Sequence, residues 1–445
     1  MYYSISLKWN KDERIVLSLF TVKDLRNKFL FTLFVLFLFR VGSYLPIPGI
    51  DSVALKSYFK SQSDFSIANY FDFFSGGAFS NFSIFMLSIG PYISASIIVQ
   101  LLVYSFPSLK KMQEGDGGRQ KTKKYTKYLT IVAAVVQGYA TSLYAKGIPG
   151  AVTIPFYRYI FVAILTVTTG TFILLWFGEQ INQRGVGNGT SLIIFSGIVV
   201  RLQAALFNLF QSMQDPSQNV NPVFVILIIS IFILVVILII YEYKAQMRIA
   251  IHYARANSNS TVSSYLPIKL NPSGVLPVIF ASVLITLPLQ ILSGFAETSS
   301  IARQILSYLR PNGFYYTFLN VILIIGFTYF YSKIQLSPKD ISNNIRKNGG
   351  TIPGIKSDEM EKYLDEIMNK TLFSGSIFLS IIAIIPFLVQ NIFRFPHDVS
   401  RIMGGSSLLI MVGVALDTLI HIDAYLKTQG FSHGNKKNYA FLQKI

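Results

Sequence analysis

Ten long apolar runs divide the sequence, and they restrict its possible folds more than any other feature. Each run has about the length that a helix needs to cross a bilayer, roughly 20 residues. The runs cover residues 29–45, 83–103, 128–145, 159–177, 190–208, 222–241, 274–292, 314–332, 372–390 and 404–420. Because backbone groups inside lipid must be satisfied within the protein, this pattern predicts a bundle of transmembrane helices.

Composition supports an integral membrane protein without catalytic chemistry. Of the 445 residues, 52% are hydrophobic and only 13% are charged, whereas a soluble protein carries about 25% charged residues. The chain has no cysteine, and its four histidines are too scattered to form a metal site. The centres of the predicted spans carry no acidic or basic residue, and no P-loop motif occurs. We therefore expect no enzyme activity, no metal and no cofactor.

The placement of positive charge predicts the orientation. Most of the 39 lysines and arginines fall in the two tails and in alternate loops, which fits the positive-inside rule if both termini are cytoplasmic. The N-terminal tail, residues 1–28, includes an amphipathic segment, and the C-terminal tail covers residues 421–445. The two longest basic loops, 244–270 and 333–370, are also predicted to face the cytoplasm.

The number of spans predicts internal symmetry. An outward loop at 209–221 separates five spans in residues 29–208 from five in residues 222–420. An odd number of spans in each half gives the halves opposite orientations, as in inverted-repeat membrane proteins. The predicted fold is an all-α integral membrane protein of ten transmembrane helices in two inverted five-helix halves, with a pore or binding site between them.

The stretch from Asn69 to Leu102 is the least regular part of this pattern. It begins with a short aromatic piece that Ser75-Gly76-Gly77 interrupts before the second apolar run. Non-helical backbone survives at membrane depth only where protein buries it or water reaches it, so we expect this stretch to line a pathway. Ile89 and Ile93 are spaced to share a helix face. Such a pair usually packs in a core or against lipid, but an aliphatic constriction also blocks ions by dewetting.

Eight motifs occur in order along the chain. They are Arg40–Asp51 (RVGSYLPIPGID), Phe74–Ala78 (FSGGA), Pro91–Ile97 (PYISASI), Gly178–Ile181 (GEQI) with Arg184–Gly189 (RGVGNG), Pro277–Ser282 (PVIFAS), Phe327–Tyr331 (FTYFY), Gly349–Gly354 (GGTIPG) and Gly413–Asp417 (GVALD). Through these motifs the chain resembles the SecY/Sec61 alpha family, the central channel subunits of the Sec protein translocase. The resemblance runs through nearly the whole chain.

The resemblance implies an hourglass channel closed by a plug and by a hydrophobic ring. The plug would lie at about residues 64–78 and include Asp64, Phe65, Tyr70, Phe71, Phe73, Phe74, Ser75, Gly76 and Gly77. The ring would consist of Ile89, Ile93, Ile194, Ile279 and Ile410, with Thr190 where relatives often have isoleucine. A lateral gate between the second and seventh spans would include Ser94, Gln100, Thr130 and Ser282.

The resemblance also implies docking on the two long cytoplasmic loops. Without it, positive charge in these loops would more simply reflect the positive-inside rule, although it also suits an acidic partner or RNA phosphates. By resemblance, the SecA ATPase and the ribosome bind there, through Lys244, Arg248, Arg255, Arg346, Lys347 and Lys356. Lys356 and Met247 stand where relatives have arginine, and lysine cannot form the bidentate contacts of a guanidinium group.

The function that follows is a passive protein-conducting channel. It would pass unfolded secretory proteins and signal sequences across the bacterial inner membrane and release membrane segments sideways into the bilayer, with the small membrane subunits SecE and SecG as partners. The alternative location is the plastid thylakoid membrane. The alternative function is a secondary transporter of a small neutral solute. That function needs a polar cluster at the midplane, where only a few groups are available: Ser94, Ser96, Gln100, Ser282 and Thr286.

Overall fold

The computed structural model describes residues 22–61, 72, 75–115, 117–214, 222–253, 262–295, 299–310, 313–335, 337–393 and 405–428. Within these residues, ten long helices coincide with the ten predicted spans, and we number them accordingly. Spans one to ten are Lys23–Gly42, Gly90–Ser105, Gly118–Lys146, Phe156–Arg184, Gly189–Gln214, Pro222–Lys244, Leu276–Gly294, Phe314–Gln335, Met360–Phe393 and Gly405–Thr428. The shorter helical segments are Ser52–Ser61, Pro107–Glu114, Ser300–Tyr308, Pro338–Lys347 and the 3₁₀ turn Ser357–Glu359.

Seven of the described helices are long and apolar enough to cross a membrane by length and composition alone. Span one is not among them because charged residues occupy both of its ends. For span five, the described residues that this test covers are Gly189–Ala204. Span two continues into the helix that begins at Pro107 after a bend of 109°. Proline lacks the N–H group that would continue the helix and forces the preceding residue into an extended conformation. Phe106 has φ −109° and ψ 110°, as this restriction requires.

Span two begins later than the apolar pattern predicts. The described residues 75–89 form turns instead of helix, and they attach to the segment after span one: the Ile84 N–H donates to the Leu45 carbonyl at 3.0 Å. Ile89 is therefore the residue before the first helical turn, which corrects the expectation that Ile89 and Ile93 lie within one continuous helix. The turns at 75–89 are apolar because their side chains are largely buried; Phe82, for example, is 0% exposed.

The ends of other predicted elements also differ. Span five continues to Gln214, so the outward loop expected at 209–221 starts as helix, and its remainder lies outside the described residues. Span nine begins at Met360, inside the predicted cytoplasmic loop. Span ten runs to Thr428 and takes up the start of the expected C-terminal tail. The amphipathic segment expected in residues 1–28 falls almost entirely outside the described residues.

The two long basic loops, which the charge pattern predicts to be cytoplasmic, fold together, which the all-helical expectation did not include. Strand β1 (Gln246–Tyr253) pairs antiparallel with β2 (Val262–Lys269), and its other edge pairs with the short β3 (Gly350–Thr351) of the second loop. This three-stranded sheet, in the order β2-β1-β3, packs its buried isoleucines against the helix Pro338–Lys347 and the start of span nine. We call this assembly the cytoplasmic unit.

The main hydrophobic core lies where the two halves meet. It includes buried side chains from spans one, two, four and five of the first half and from spans six to ten of the second. Span seven is central to this packing, because it contacts spans two and three across the junction and spans eight and ten within its own half. The junction of the halves is therefore built around span seven.

Candidate functional site

A cavity lies at the junction of the two halves, between spans two, three, five, seven and ten. Five of the six predicted ring residues line it together: Ile89, Ile93, Ile194, Ile279 and Ile410. Its volume is about 90 Å³, which is smaller than the roughly 150 Å³ cavity that accommodates a benzene molecule. The site as it stands has no room for a polypeptide segment.

The isoleucines make the cavity a hydrophobic constriction. Ile89 and Ile410 are 0% and 1% exposed, and Ile194 and Ile279 are 8% and 6% exposed. They come from four separate elements, so no single helix could form the constriction alone. A narrow passage lined by aliphatic groups excludes ions because it does not stay wet.

Thr190 is the one predicted ring residue that does not line the cavity. It lies one helical turn before Ile194, at the start of span five. Its hydroxyl donates to Asn188 Oδ1 at 2.8 Å, so its polar group is satisfied locally. The hydroxyl group that was expected in the ring is therefore not part of the cavity wall.

The predicted lateral-gate residues separate into two pairs. Ser94 and Ser282 line the cavity, from spans two and seven respectively. Gln100 and Thr130 do not: the Gln100 amide donates to Ser96 Oγ at 3.1 Å, and the buried Thr130 hydroxyl donates to the Thr126 carbonyl at 2.7 Å. We call the contact of span seven with spans two and three the seam. Of the two pairs, only Ser94 and Ser282 line the cavity beside this seam.

Sequence reasoning missed the contribution of span three to this seam. Gln137 of span three and Gln290 of span seven both line the cavity and are buried. Near the ends of these spans, a Cβ atom added to Gly294 would lie 2.6 Å from the Ala140 carbonyl oxygen. Small residues permit such close approach of membrane helices, and the run of alanine, glycine and threonine in 133–141 was the available signal.

The described part of the predicted plug consists of residues 72 and 75–78. We call these residues, together with 79 and 80, the plug turn. Ser75 is buried and lines the cavity, and Gly76 and Gly77 have φ of +66° and +94°. The remaining plug candidates lie outside the described residues: Asp64, Phe65, Tyr70, Phe71, Phe73 and Phe74. The plug turn therefore reaches the cavity wall, next to the ring.

Three charged residues in or beside the plug turn were not among the predicted site residues. Asp72 forms an ion pair with Arg201 of span five, and Arg40 at the end of span one donates to the Gly76 carbonyl at 2.5 Å. Arg201 is a charged residue within an apolar run, and such residues are expected to face a partner inside the protein. That expectation was the signal that sequence reasoning did not use.

Most of the predicted docking residues surround the cytoplasmic unit. Lys244, Arg248, Arg346, Lys347 and Lys356 are exposed, whereas Arg255 lies outside the described residues. Arg346 donates to the Ser357 carbonyl, which ties the helix Pro338–Lys347 to the 3₁₀ turn that follows. The positive charges of both loops thus belong to one folded surface.

A comparison with family models matches residues 83–419, most of the chain, to the SecY family. The chain belongs to the SecY family. It is 99% identical over 433 residues to the protein translocase subunit SecY of Borreliella burgdorferi, covering 97% of this chain and 100% of that relative. It is 39% identical over 422 residues to the same subunit of Aquifex aeolicus, covering 92% and 96%.

Solved structures with the same fold cover most of this SecY-family chain. A protein-conducting channel aligns with a TM-score of 0.66 and 18% identity, over 90% of this chain and 92% of the other. A SecY structure, whose plug domain stabilises the closed translocation channel and maintains a membrane seal, aligns at 0.62 with 18% identity and the same coverage. Sec61 in a canine ribosome–channel complex aligns at 0.63 with 19% identity, again over 90% and 92%. The predicted fold class is thereby confirmed.

Proposed function

We propose that this chain is the channel subunit of a protein translocase and conducts unfolded secretory proteins across a bacterial inner membrane. One observation carries the proposal: isoleucines from four elements meet around a small, uncharged cavity at the junction of the two halves. The translocase subunits to which the chain is similar, and the protein-conducting channel whose fold it shares, support it.

The chemistry of the cavity suits a passage for polypeptides of any sequence. Aliphatic side chains contact a threaded chain without forming selective hydrogen bonds, and they exclude ions from the passage when it is empty. Because Ile89, Ile194, Ile279 and Ile410 lie on separate elements, the ring widens when spans two, five, seven and ten move apart. No group in this ring performs chemistry, so the chain acts as a passive conduit and the work comes from outside it.

The seam between the halves supplies a sideways exit. Span seven contacts spans two and three there, and the cavity reaches this seam through Ser94, Ser282 and Gln290. A passing segment of about 20 apolar residues is more stable in the bilayer than in an aqueous passage. Opening of the seam would therefore release membrane segments laterally, whereas polar segments continue across.

The cytoplasmic unit is the proposed docking surface for the partners that drive transport. Its exposed lysines and arginines fit an acidic protein surface or ribosomal RNA phosphates. We assign it to a SecA-type ATPase and to the ribosome, and the canine Sec61 complex gives a related channel on a ribosome. Small membrane subunits of the SecE and SecG type would cover apolar helix faces, with both termini of this chain in the cytoplasm.

The alternative function, a carrier of a small neutral solute, is not supported. The relatives are translocase subunits, and the polar groups expected to form a substrate cluster are divided. Ser94, Ser282 and Thr286 line the cavity, but Gln100 and Ser96 bond to each other away from it.

Reconstitution tests the proposed function. We expect vesicles that contain the chain with its copurifying membrane subunits to import a secretory precursor when a SecA-type ATPase and ATP are added. Import should require the signal sequence of the precursor, and empty vesicles are the control. Import by the chain-free vesicles, or ATP-independent saturable uptake of a small solute without import of the precursor, would contradict the proposal.

A further inference from the structure

A network of charged and polar groups holds the plug turn at span five. Asp72 is 6% exposed and forms an ion pair with Arg201. The Ser80 backbone N–H donates to Asp72 Oδ1 at 2.6 Å, and Arg201 Nη2 donates to Ser80 Oγ at 3.2 Å. The carboxylate, the guanidinium group and the serine thus bond to one another, and two of the three belong to the plug turn.

The glycines of the plug turn allow span five to approach this closely. A Cβ atom added to Gly76 would lie 2.6 Å from the Gly197 Cα, and one added to Gly77 would lie 3.2 Å from Arg201 Nη2. Both glycines also have positive φ, a conformation that other residues rarely adopt. The turn therefore brings its backbone directly against the segment of span five that carries Arg201.

A second arginine holds the same turn from the other side. Arg40 Nη1 donates to the Gly76 carbonyl at 2.5 Å, and its guanidinium carbon lies 4.5 Å from the centre of the Tyr44 ring. Arg40 is in the last turn of span one, so the plug turn is attached to two spans of the first half. Of these two described attachments, the one through Asp72 joins two opposite charges.

We propose that Asp72 and Arg201 form a latch that keeps the plug turn in its closed position and sets how readily the channel opens. This inference rests on the proposed function. The Arg201 side chain is 30% exposed, but Asp72 is buried, so removing Arg201 leaves a buried carboxylate without its counter-charge, which destabilises that arrangement. Displacing the plug turn separates the pair in the same way, and both charges then need water. The closed position is therefore favoured until a substrate has opened a wet path beside Arg201, and both residues act as positioning residues.

The latch predicts a non-additive effect on the resting leak of chloride from vesicles that contain the reconstituted complex. We expect Asp72→Asn and Arg201→Gln each to raise this leak about tenfold, as a pairwise coupling of ordinary size allows. The double variant should leak about as much as either single variant, because the second change removes an interaction that is already lost. The exchanged pair, Asp72→Arg with Arg201→Asp, should leak less than either single variant.

Two further variants separate the latch from a general disturbance of the fold. Arg201→Lys keeps the charge and should leave the leak within about threefold of the unmodified chain. Arg158→Gln, at an exposed arginine that bonds to Tyr157 on the same side of the membrane, should leave it unchanged. Import of an intact precursor by each variant reports on folding.

The latch is wrong if the single variants leak no more chloride than the unmodified chain. It is also wrong if the factor by which the double variant raises the leak equals the product of the two single factors. The leak is measured without substrate. A failure of the unmodified chain to import a precursor therefore contradicts the proposed function, whereas an unchanged leak contradicts the latch alone.

Discussion

At the scale of single residues, the seal of the cavity depends on the apolar character of a few isoleucines. Ile410 is 1% exposed and lines the cavity opposite spans two and seven. An asparagine there places an amide in apolar surroundings, which costs about 1–3 kcal/mol unless water reaches it. We expect Ile410→Asn to wet the constriction and to raise the resting chloride leak about fivefold or more.

The matched control at this position is Ile410→Leu. It keeps volume and apolarity, a change that usually costs less than about 1.5 kcal/mol, so the leak should stay unchanged. If Ile410→Asn leaks no more chloride than Ile410→Leu, the ring does not form the seal.

At the scale of elements, we propose that the tight contact between spans three and seven keeps the seam closed. Because a Cβ atom at Gly294 would lie 2.6 Å from the Ala140 carbonyl oxygen, Gly294→Ala must push the two spans apart. Overpacking of this kind costs about 1–3 kcal/mol and disfavours the closed seam. We expect export of a precursor with a defective signal sequence to rise roughly tenfold.

The control for the seam is Gly326→Ala in span eight, where an added Cβ atom meets no other atom within 4 Å. Equal export by the two glycine variants would show that the contact at Ala140 does not restrain the seam.

The cytoplasmic unit is the second feature at this scale, because its small core joins the two long basic loops. Ile345 is 5% exposed and packs with the isoleucines of β1 and with the start of span nine. Ile345→Ala removes about 2–5 kcal/mol of packing, so amide hydrogen exchange in Gln246–Tyr253 should speed up although the substitution lies in the other loop. The exposed neighbour Asn344→Ala should not change this exchange. Unchanged exchange in both variants would mean that the loops fold independently.

At the scale of the whole molecule, the ten spans could be predicted from the sequence because lipid imposes a minimum apolar length on each. The ring could not be found in this way. Ile89 and Ile410 are far apart in the sequence, and nothing in their spacing indicates that they meet. Resemblance to a family supplied those positions, and five of the six line one cavity.

Three features escaped prediction for physical reasons. Apolarity reports burial and not helicity, so the turns at 83–89 were predicted to be the start of a membrane helix. The sheet of the cytoplasmic unit depends on pairing between Tyr253 and Gly350, which belong to different loops. The Asp72–Arg201 pair joins two charges that are distant in the sequence, and only the rarity of a charge in an apolar run pointed to it.

The proposed function depends on the passage of an unfolded polypeptide through the ring of isoleucines. A photoreactive amino acid in place of Ile279 or Ile410 lies in the ring. One in place of Ile237, a residue of span six that is 59% exposed, lies outside it. We predict that a secretory chain stalled during import crosslinks to both ring positions and not to position 237. A stalled chain that leaves both ring positions unlabelled, or labels position 237 as strongly, would contradict the account.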